Sequence, residues 1–189
     1  MPPLEYIRCC QNSEVLMEAH ENYTKQSYRN RALIATGNGV QTLTIPVLRS
    51  AHKIPIRDVR IDYAMPWQRQ HWRSIDTAYS NTPYFLYFQD FLHPFYEKKY
   101  DFLFDFNMEL MQVIMKLYGF DFQPALTNEY LSEYSSEDYN DYRLIIHPKL
   151  RNDANYPFPS EEYTQIFDDR FGFIPHLSII DHLFNVGIY

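Results

Sequence analysis

Cysteine is scarce in this sequence, and its two copies, Cys9 and Cys10, are neighbours. Adjacent cysteines rarely reach the geometry of a disulfide bond, and two thiols alone form no metal motif. We therefore expect a reducing compartment and predict no metal site. No apolar run approaches the ~18 residues of a membrane span, and the first residues lack the basic and apolar regions of a signal peptide. The sequence thus predicts a cytoplasmic protein without a membrane span.

Several signature motifs of enzymes and cofactor-binding proteins are also missing. The chain has no G-x-G-x-x-G, no P-loop, no H-E-x-x-H and no G-x-S-x-G nucleophile elbow. His176 and His182 are six residues apart, which is a weak spacing for metal ligands. We therefore predict no cofactor and set aside the enzyme classes that these motifs define.

Positive charge is in deficit overall and unevenly placed. The formal charge is -7, with 12 Lys or Arg and 9 Asp or Glu in residues 1–99, against 5 and 15 in residues 100–189. The acidic second half argues against nucleic acid as the main partner, because no long basic face is available. The basic first half leaves a small anionic ligand open as a partner.

Aromatic residues, in contrast, are abundant at 17% of the chain. Such side chains fill a core, or they form a groove that stacks on a ring-shaped ligand. Because Phe and Tyr are spread along the whole chain, the core interpretation carries more weight.

The hydrophobic pattern predicts several strands. "EVLMEA", "RALIAT" and "VQTLTIPVL" are each predicted as a strand, and "GNG" at 37–39 predicts a hairpin turn between the last two. Pro46 is expected to end its strand or to place it at an edge. "IPIRDVRID" is predicted as a further strand with Val59 and Ile61 facing inward, and "RLIIHP" as a short one.

Helical spacing covers most of the remaining periodic stretches. "LEYIRCCQN" predicts a first helix, "TPYFLYFQDFL" is helical, and "SIIDHLFNVG" predicts a short last helix. "YDFLFDFNMELMQVIMKLYG" predicts the clearest helix, which Gly119 ends. Pro66 opens another helix. Its apolar stripe consists of Trp67, His71, Ile75 and Ala78.

This order of elements predicts an α/β (or α+β) fold with a small mixed sheet and a helical second half. The chain is long enough for one well-buried core, so we expect one domain over residues 1–189.

Cations and amides gather in residues 21–31, "ENYTKQSYRNR". Guanidinium and ammonium groups beside amides and a hydroxyl are good donors for a phosphate or a carboxylate. The stretch lies between two predicted strands, where loops carry function. A solvated charged surface is the alternative. The candidate ligand-binding residues here are Asn22, Lys25, Ser27, Asn30 and Arg31.

The helices carry further candidates. His71 shares a helix side with Trp67, a candidate ligand-binding residue, and is either a proton carrier of a polar pocket or a buried histidine with satisfied hydrogen bonds. Asn107 lies on the apolar stripe of the clearest helix. A buried amide there must bond a loop backbone or a ligand, because leaving it unpaired costs roughly 1–3 kcal/mol.

The end of the chain offers a serine and an aspartate at capping-box spacing. Ser178 fits the N-cap position of the last helix, Asp181 its third position, and Gly187 a C-terminal cap. Asp181 remains a candidate catalytic residue as well.

Five stretches occur here in a characteristic order. They are "NYTKQSYRNRALI", "LTIPV", "IRDVRID" before "WQRQHWRSI", "LFDFN" and "YTQIFDDRFGFIPHLSIIDHLFNVG". Together they resemble the WbqC-like protein family over nearly all of the chain. The family pattern K-x-S-x-x-N-R falls on Lys25, Ser27, Asn30 and Arg31, with Asn22 where the family usually carries Gln. The helix Asn falls on Asn107, and the L-S-I-x-D motif on Leu177 to Asp181.

This resemblance implies a role in building or decorating glycans, because members often occur with genes for O-antigen and other surface polysaccharides. It implies a transferase that acts on a nucleotide sugar or an aminoacyl (glycine) substrate. Longer members begin with a strand before the first helix, and we expect either that this form does without that strand or that its start codon was assigned too late. If the strand belonged at the centre of the sheet, we expect an exposed edge and a homodimer.

Two hypotheses therefore follow for function. In the first, the protein is an enzyme, with Lys25 and Arg31 holding phosphates, His71 or Asp181 moving a proton, and aromatic residues stacking on a ring. In the second, it is a non-catalytic binding or scaffold module of a polysaccharide biosynthesis complex, and residues 21–31 form a structural hub.

Overall fold

A computed structural model describes residues 1–11 and 13–188 as a mixture of helices and short strands. Two 3-10 helices, Ile56–Asp58 and His93–Tyr96, supplement the regular elements. The strands are β1 (Leu16–Met17), β2 (Arg31–Thr36), β3 (Gly39–Thr44) and β4 (Ala125–Leu126). The helices are α1 (Leu4–Gln11), α2 (Trp67–Tyr79), α3 (Phe85–Leu92), α4 (Leu103–Leu117), α5 (Asp168–Phe171) and α6 (Ile179–Asn185).

The predicted hairpin is confirmed. Strands β2 and β3 pair antiparallel from Arg31 opposite Thr44 to Thr36 opposite Gly39. Gly39 adopts φ 98°, a conformation that glycine reaches without a steric cost. β3 ends at Thr44, two residues before Pro46, as expected for a residue that cannot donate to a sheet.

The main core lies between α2, α4 and α6. The stripe predicted on α2 is confirmed, since all four of its residues are buried. α4 buries the face that carries Leu103, Leu110 and Ile114, and Gly119 follows it with φ 81°. Tyr79, Phe106 and Phe184 are among the largest fully buried side chains. Much of the aromatic content therefore fills the core.

The predicted fold class is confirmed, but the sheet is divided into two small pairs. β1 pairs in parallel with β4, and the β2–β3 hairpin forms a separate sheet. Two strand predictions were wrong. Residues 54–62 form a 3-10 helix followed by isolated bridges, although Val59 and Ile61 are buried as predicted. "RLIIHP" forms turns, because its backbone closes local bonds such as Ile146 N–H to Tyr142 O at 3.3 Å.

The predicted capping position at Ser178 is confirmed, but the hydroxyl does not cap the helix. It accepts the Leu33 N–H at 3.0 Å and donates to the Met1 carbonyl at 2.9 Å. Ser178 therefore joins β2, the first residues and α6. Gly187 follows α6 with φ 91° and donates its N–H to Leu183 O at 3.1 Å, as predicted for a C-terminal cap.

None of the helices in the described part of the chain has both the length and the apolar character needed to cross a membrane. The predicted homodimer and the single domain stay predictions.

Candidate functional site

A large cavity of about 480 Å³ lies between α1, β1, α4 and the irregular segment 138–146. Its volume lies within the range of small-molecule sites in proteins. α1 contributes Tyr6, Cys9 and Cys10 to the wall. The apolar part of the wall includes Leu16, Met17, Ile56, Met108, Leu110 and Met111.

One side of this cavity is formed by a half-buried ion pair. The Arg29 guanidinium donates two hydrogen bonds to the Glu21 carboxylate, of which Nη2 to Oε2 measures 2.5 Å. Both side chains are largely shielded, at 18% and 14% exposure. A fork-to-carboxylate pair of this kind fixes both groups in orientation. Arg29 Nη2 also reaches the Arg143 carbonyl at 3.4 Å, which ties the loop of residues 21–31 to the irregular segment.

A second charged group lies where the irregular segment meets β1. Glu18 is buried and accepts hydrogen bonds from Thr127 Oγ1 at 2.8 Å and from the His20 N–H at 2.7 Å. Arg143 lies 3.5 Å from the same carboxylate and pairs with Asp141, whose pKa its hydrogen bonds lower. Because Arg143 also donates to Leu131 O at 2.8 Å, this residue holds the irregular segment against the cavity.

The cavity wall as a whole is acidic. Five carboxylates face two guanidinium groups, and both guanidinium groups already have carboxylate partners. Such a wall suits ligand hydroxyl and amino groups, which donate hydrogen bonds to carboxylates. The charged residues are Glu14, Glu18, Glu21, Asp138, Asp141, Arg29 and Arg143.

The two cysteines in the wall are not activated as nucleophiles. Burial raises the pKa of the Cys10 thiol to about 12, and the thiol of Cys9 adds to this rise. Burial also raises the pKa of Cys9, against a hydrogen bond with Tyr142 that lowers it. Because the thiolate is the reactive form, both side chains act as polarisable parts of the wall at neutral pH.

A second cavity, of about 20 Å³, adjoins the first. Arg29, Asn107 and Leu110 line both cavities, so the two share one wall. The small cavity has room for about one water molecule. It brings together five residues singled out from the sequence, namely Asn30, Arg31, Trp67, His71 and Asn107.

Three polar atoms on these residues are shielded from solvent and have no partner in the described part of the chain, residues 1–11 and 13–188. They are Asn30 Oδ1, Arg31 Nε and Trp67 Nε1. The other end of the Asn30 amide donates to Ile45 O at 3.1 Å, and Asn107 Nδ2 donates to Arg29 O at 2.7 Å. Buried polar atoms without partners are rare, and each one costs about 1–3 kcal/mol. The small cavity is therefore a polar site that the surrounding protein leaves incomplete.

His71 lies in the wall of the small cavity and is uncharged at neutral pH. Burial lowers its pKa from 6.5 to about 4, which outweighs the opposing effect of a hydrogen bond with the Thr44 backbone. Its ring meets Trp67 edge-on at a centroid distance of 5.1 Å. Neutral imidazole can accept a proton or position a ligand, but it does not attract an anion by charge.

We predict that protonation of His71 lowers the free energy of unfolding as the pH falls. Because the folded pKa lies below the unfolded value, the unfolded chain binds the extra proton, so stability is complete above pH 6.5 and falls towards pH 4. The expected loss is about 3 kcal/mol. Urea unfolding of the wild type and of His71→Gln at several pH values measures it. Burial lowers the pKa of His147 and His182 too, so the difference between the proteins isolates His71. Equal slopes in both proteins would contradict this origin.

Comparisons with known proteins identify a family and a relative for this chain. The model of the WbqC-like protein family matches residues 1–156. The chain belongs to this family. It is also 31% identical over 189 aligned residues to "Uncharacterized protein Rv1507c" of Mycobacterium tuberculosis, covering 87% of this chain and 80% of the relative. No solved structure matches the chain.

The WbqC-like match contains all residues that line the two cavities. The matched range ends before the C-terminal stretch on which the resemblance noted from the sequence also rested. Helix α6 therefore lies outside the matched range. Asp181, on α6, lines neither cavity. Its carboxylate accepts hydrogen bonds from Tyr79, Tyr163 and Gln165 at 2.7, 2.8 and 2.9 Å. Its catalytic role stays a prediction.

The other WbqC-like pattern residues divide between the cavities and the surface. Asn22 and Lys25 are exposed and line neither cavity. Ser27 is fully buried, and its hydroxyl donates to Thr24 O at 2.8 Å, which stabilises the loop. These three residues line neither cavity, and their ligand-binding roles stay predictions.

Sequence reasoning missed the charged residues that dominate the large cavity. Glu21 opens the stretch 21–31 but was not among its candidate residues. Glu18 and Arg143 come from segments that carry no local motif, and Glu18 meets Thr127 across 109 positions of the chain. One signal was available. Three of the five Lys and Arg residues of the acidic second half, Arg143, Lys149 and Arg151, lie within nine positions of one another.

Proposed function

We propose that this protein is a cytoplasmic transferase of surface polysaccharide biosynthesis that binds a sugar or aminoacyl group in the large cavity. The observation that supports this proposal is the acidic and partly aromatic wall of the cavity of about 480 Å³. The volume suits one sugar ring or an aminoacyl group attached to a larger carrier. The WbqC-like family implies the glycan context.

The chemistry of the wall favours groups that donate hydrogen bonds. Sugar hydroxyls and the α-amino group of glycine both donate to carboxylates, and Glu18 and Glu21 supply these at fixed positions. Tyr6 and Tyr28 offer flat apolar faces on the α1 side of the cavity. A phosphate would be repelled from this wall, because its two arginines are already neutralised.

Transfer to a hydroxyl or an amine requires a proton acceptor beside the attacking atom. In the large cavity, Glu18 and Glu21 are the shielded carboxylates in the wall. His71 lines only the small cavity, which places it next to Asn107 rather than next to the ligand of the large cavity. We therefore propose Glu18 and Glu21 as the first residues to test for proton transfer.

A non-catalytic binding module is the second candidate. It is favoured by the pairing of both wall arginines and by the raised thiol pKa of Cys10, which together leave the cavity without an activated nucleophile. A binding module would hold the same ligand without turning it over. Product analysis after binding has been established separates the two candidates.

A thermal-shift screen tests the proposal. The probes are uridine diphosphate sugars and a non-hydrolysable glycyl adenylate, and a ligand at about 100 times its Kd is expected to raise Tm by about 5–10 °C. Met108→Trp on α4 fills the large cavity and should abolish the shift. Gln112→Trp, at an exposed position of the same helix, is the matched control and should keep it. If the ligand still raises the Tm of Met108→Trp, the ligand binds outside this cavity.

A further inference from the structure

Two turns of the chain meet beside the large cavity and carry cations. The first turn closes where Asn30 N–H bonds Ser27 O at 3.3 Å, and the second where Leu150 N–H bonds His147 O at 2.9 Å. The bond from Arg29 Nη2 to Arg143 O joins the two segments. A turn of this type keeps its first and last Cα atoms within about 7 Å, and Arg31 and Arg151 each come directly after the last residue of one of these turns.

Positive charge accumulates at this junction without compensation. Arg31, Lys149 and Arg151 form no ion pair with any residue that the structure describes. Tyr28 and Arg29 line the large cavity together with Arg143 and Ile146, which brings residues 28–31 next to the segment that continues into the second turn. Burial lowers the pKa of His147, and the nearby charges of Lys149, Arg29 and Arg31 lower it further. Clustered like charges repel one another, and an anion relieves that repulsion.

Hydrogen-bond donors at the junction are shielded and unused. Tyr28 Oη, Arg31 Nε and Arg151 Nη1 are inaccessible to solvent and have no hydrogen-bond partner among the residues that the structure describes. Arg151 lies in electrostatic range of Tyr28, as does Glu5. Glu5 is already engaged, since it accepts from Tyr156 at 3.0 Å and lies 2.9 Å from His176 Nδ1. Unused donors of this kind match the acceptor oxygens of an oxyanion.

We propose that the junction of residues 28–31 with residues 147–151 is a phosphate-binding site that holds the phosphate or diphosphate end of a ligand. Its donors are Tyr28, Arg31, Lys149 and Arg151. The inference rests on the proposed function and deepens it, because it makes the substrate a phosphate-bearing one. The acidic cavity receives the hydroxyl- or amine-bearing group, and the cationic junction receives the phosphate. Tyr28 belongs to both, since it also lines the large cavity.

Calorimetric titration with pyrophosphate tests the site apart from any sugar. Wild-type protein is expected to bind pyrophosphate, with an affinity that falls as salt rises. Lys149→Ala, at an exposed position, and Arg151→Ala are each expected to weaken binding about tenfold. Lys116→Ala removes one exposed cation from α4 and is the matched control with unchanged binding. Circular dichroism verifies that each variant is folded, and Lys149→Ala keeps the test decisive if Arg151→Ala unfolds.

Further variants separate the possible outcomes. Met108→Trp fills the large cavity and should still bind pyrophosphate while losing the sugar ligand. If pyrophosphate binds as expected but no nucleotide sugar or glycyl adenylate does, the proposed function fails and the phosphate site stands. If Lys149→Ala and Arg151→Ala bind like the wild type, or if Lys25→Ala alone weakens binding, the site at this junction is overturned.

Discussion

Asp181→Ala is expected to lower the free energy of unfolding by about 3–5 kcal/mol. Asp181 is fully buried, and its carboxylate accepts hydrogen bonds from Tyr79, Tyr163 and Gln165. Alanine leaves these three donors shielded from water without an acceptor. Because Tyr79 Oη also accepts the Ala35 N–H at 3.0 Å, the change reaches β2 as well. Urea denaturation followed by circular dichroism measures the loss.

Asp90→Ala on the exposed side of α3 is the matched control and should leave the urea midpoint close to that of the wild type. A structural role of Asp181 predicts a loss of stability in the variant, whereas the predicted catalytic role concerns turnover. A variant with wild-type stability and lost turnover would establish the catalytic role and contradict the structural one. Burial raises the pKa of Asp181 while its three partners lower it, which fits a carboxyl group held inside the core.

Glu21→Leu should cost about 3–4 kcal/mol of stability, because it leaves the Arg29 guanidinium half-buried beside the large cavity without its carboxylate. Removing one partner of a shielded ion pair lowers the free energy of unfolding more than replacing both partners with apolar residues does. The double variant Glu21→Leu with Arg29→Met is therefore expected to be more stable than Glu21→Leu alone by about 2 kcal/mol. A double-mutant cycle in urea measures this coupling.

The Lys98–Glu109 pair is the control for this cycle, since its side chains are 56% and 46% exposed. Breaking that exposed pair should leave the unfolding midpoint unchanged. A coupling of zero between Glu21 and Arg29 would contradict the geometry of the pair. The double variant also tests the proposed function, because it is expected to keep the fold while it removes a carboxylate from the cavity. It should therefore fail to bind the ligand that the wild type binds.

The elements that the sequence predicted well are those with a local cause. The α2 stripe from Trp67 to Ala78 follows from helical spacing alone, and the hairpin follows from alternation around glycines. The residues 54–62 were wrongly predicted as a strand, because their alternating burial arises from a 3-10 helix and bridges instead of a sheet. Periodicity reports which side chains are buried more reliably than it reports backbone shape.

Part of the lining of the small cavity had been singled out from the sequence, although the ligand-binding roles of these residues stay predictions. Asn30 and Arg31 from the stretch 21–31, with Trp67, His71 and Asn107 from the apolar stripes of two helices, line one small cavity. The large cavity was missed, because its charged wall depends on the irregular segment and on pairings such as Arg143 with Glu18. Contacts between residues so far apart in the sequence produce no local spacing pattern from which they could be predicted.

Methyl resonances of the methionines test the central claim most directly. The methionines that line the large cavity are Met1, Met17, Met108 and Met111, whereas Met65 is exposed elsewhere and Met115 is buried outside the wall. We titrate methyl-labelled protein with a uridine diphosphate sugar and with a glycyl adenylate analogue. Saturable shifts confined to the wall methionines are predicted for at least one of these ligands. Shifts at Met65 alone, or no shift with either ligand, would contradict binding in this cavity.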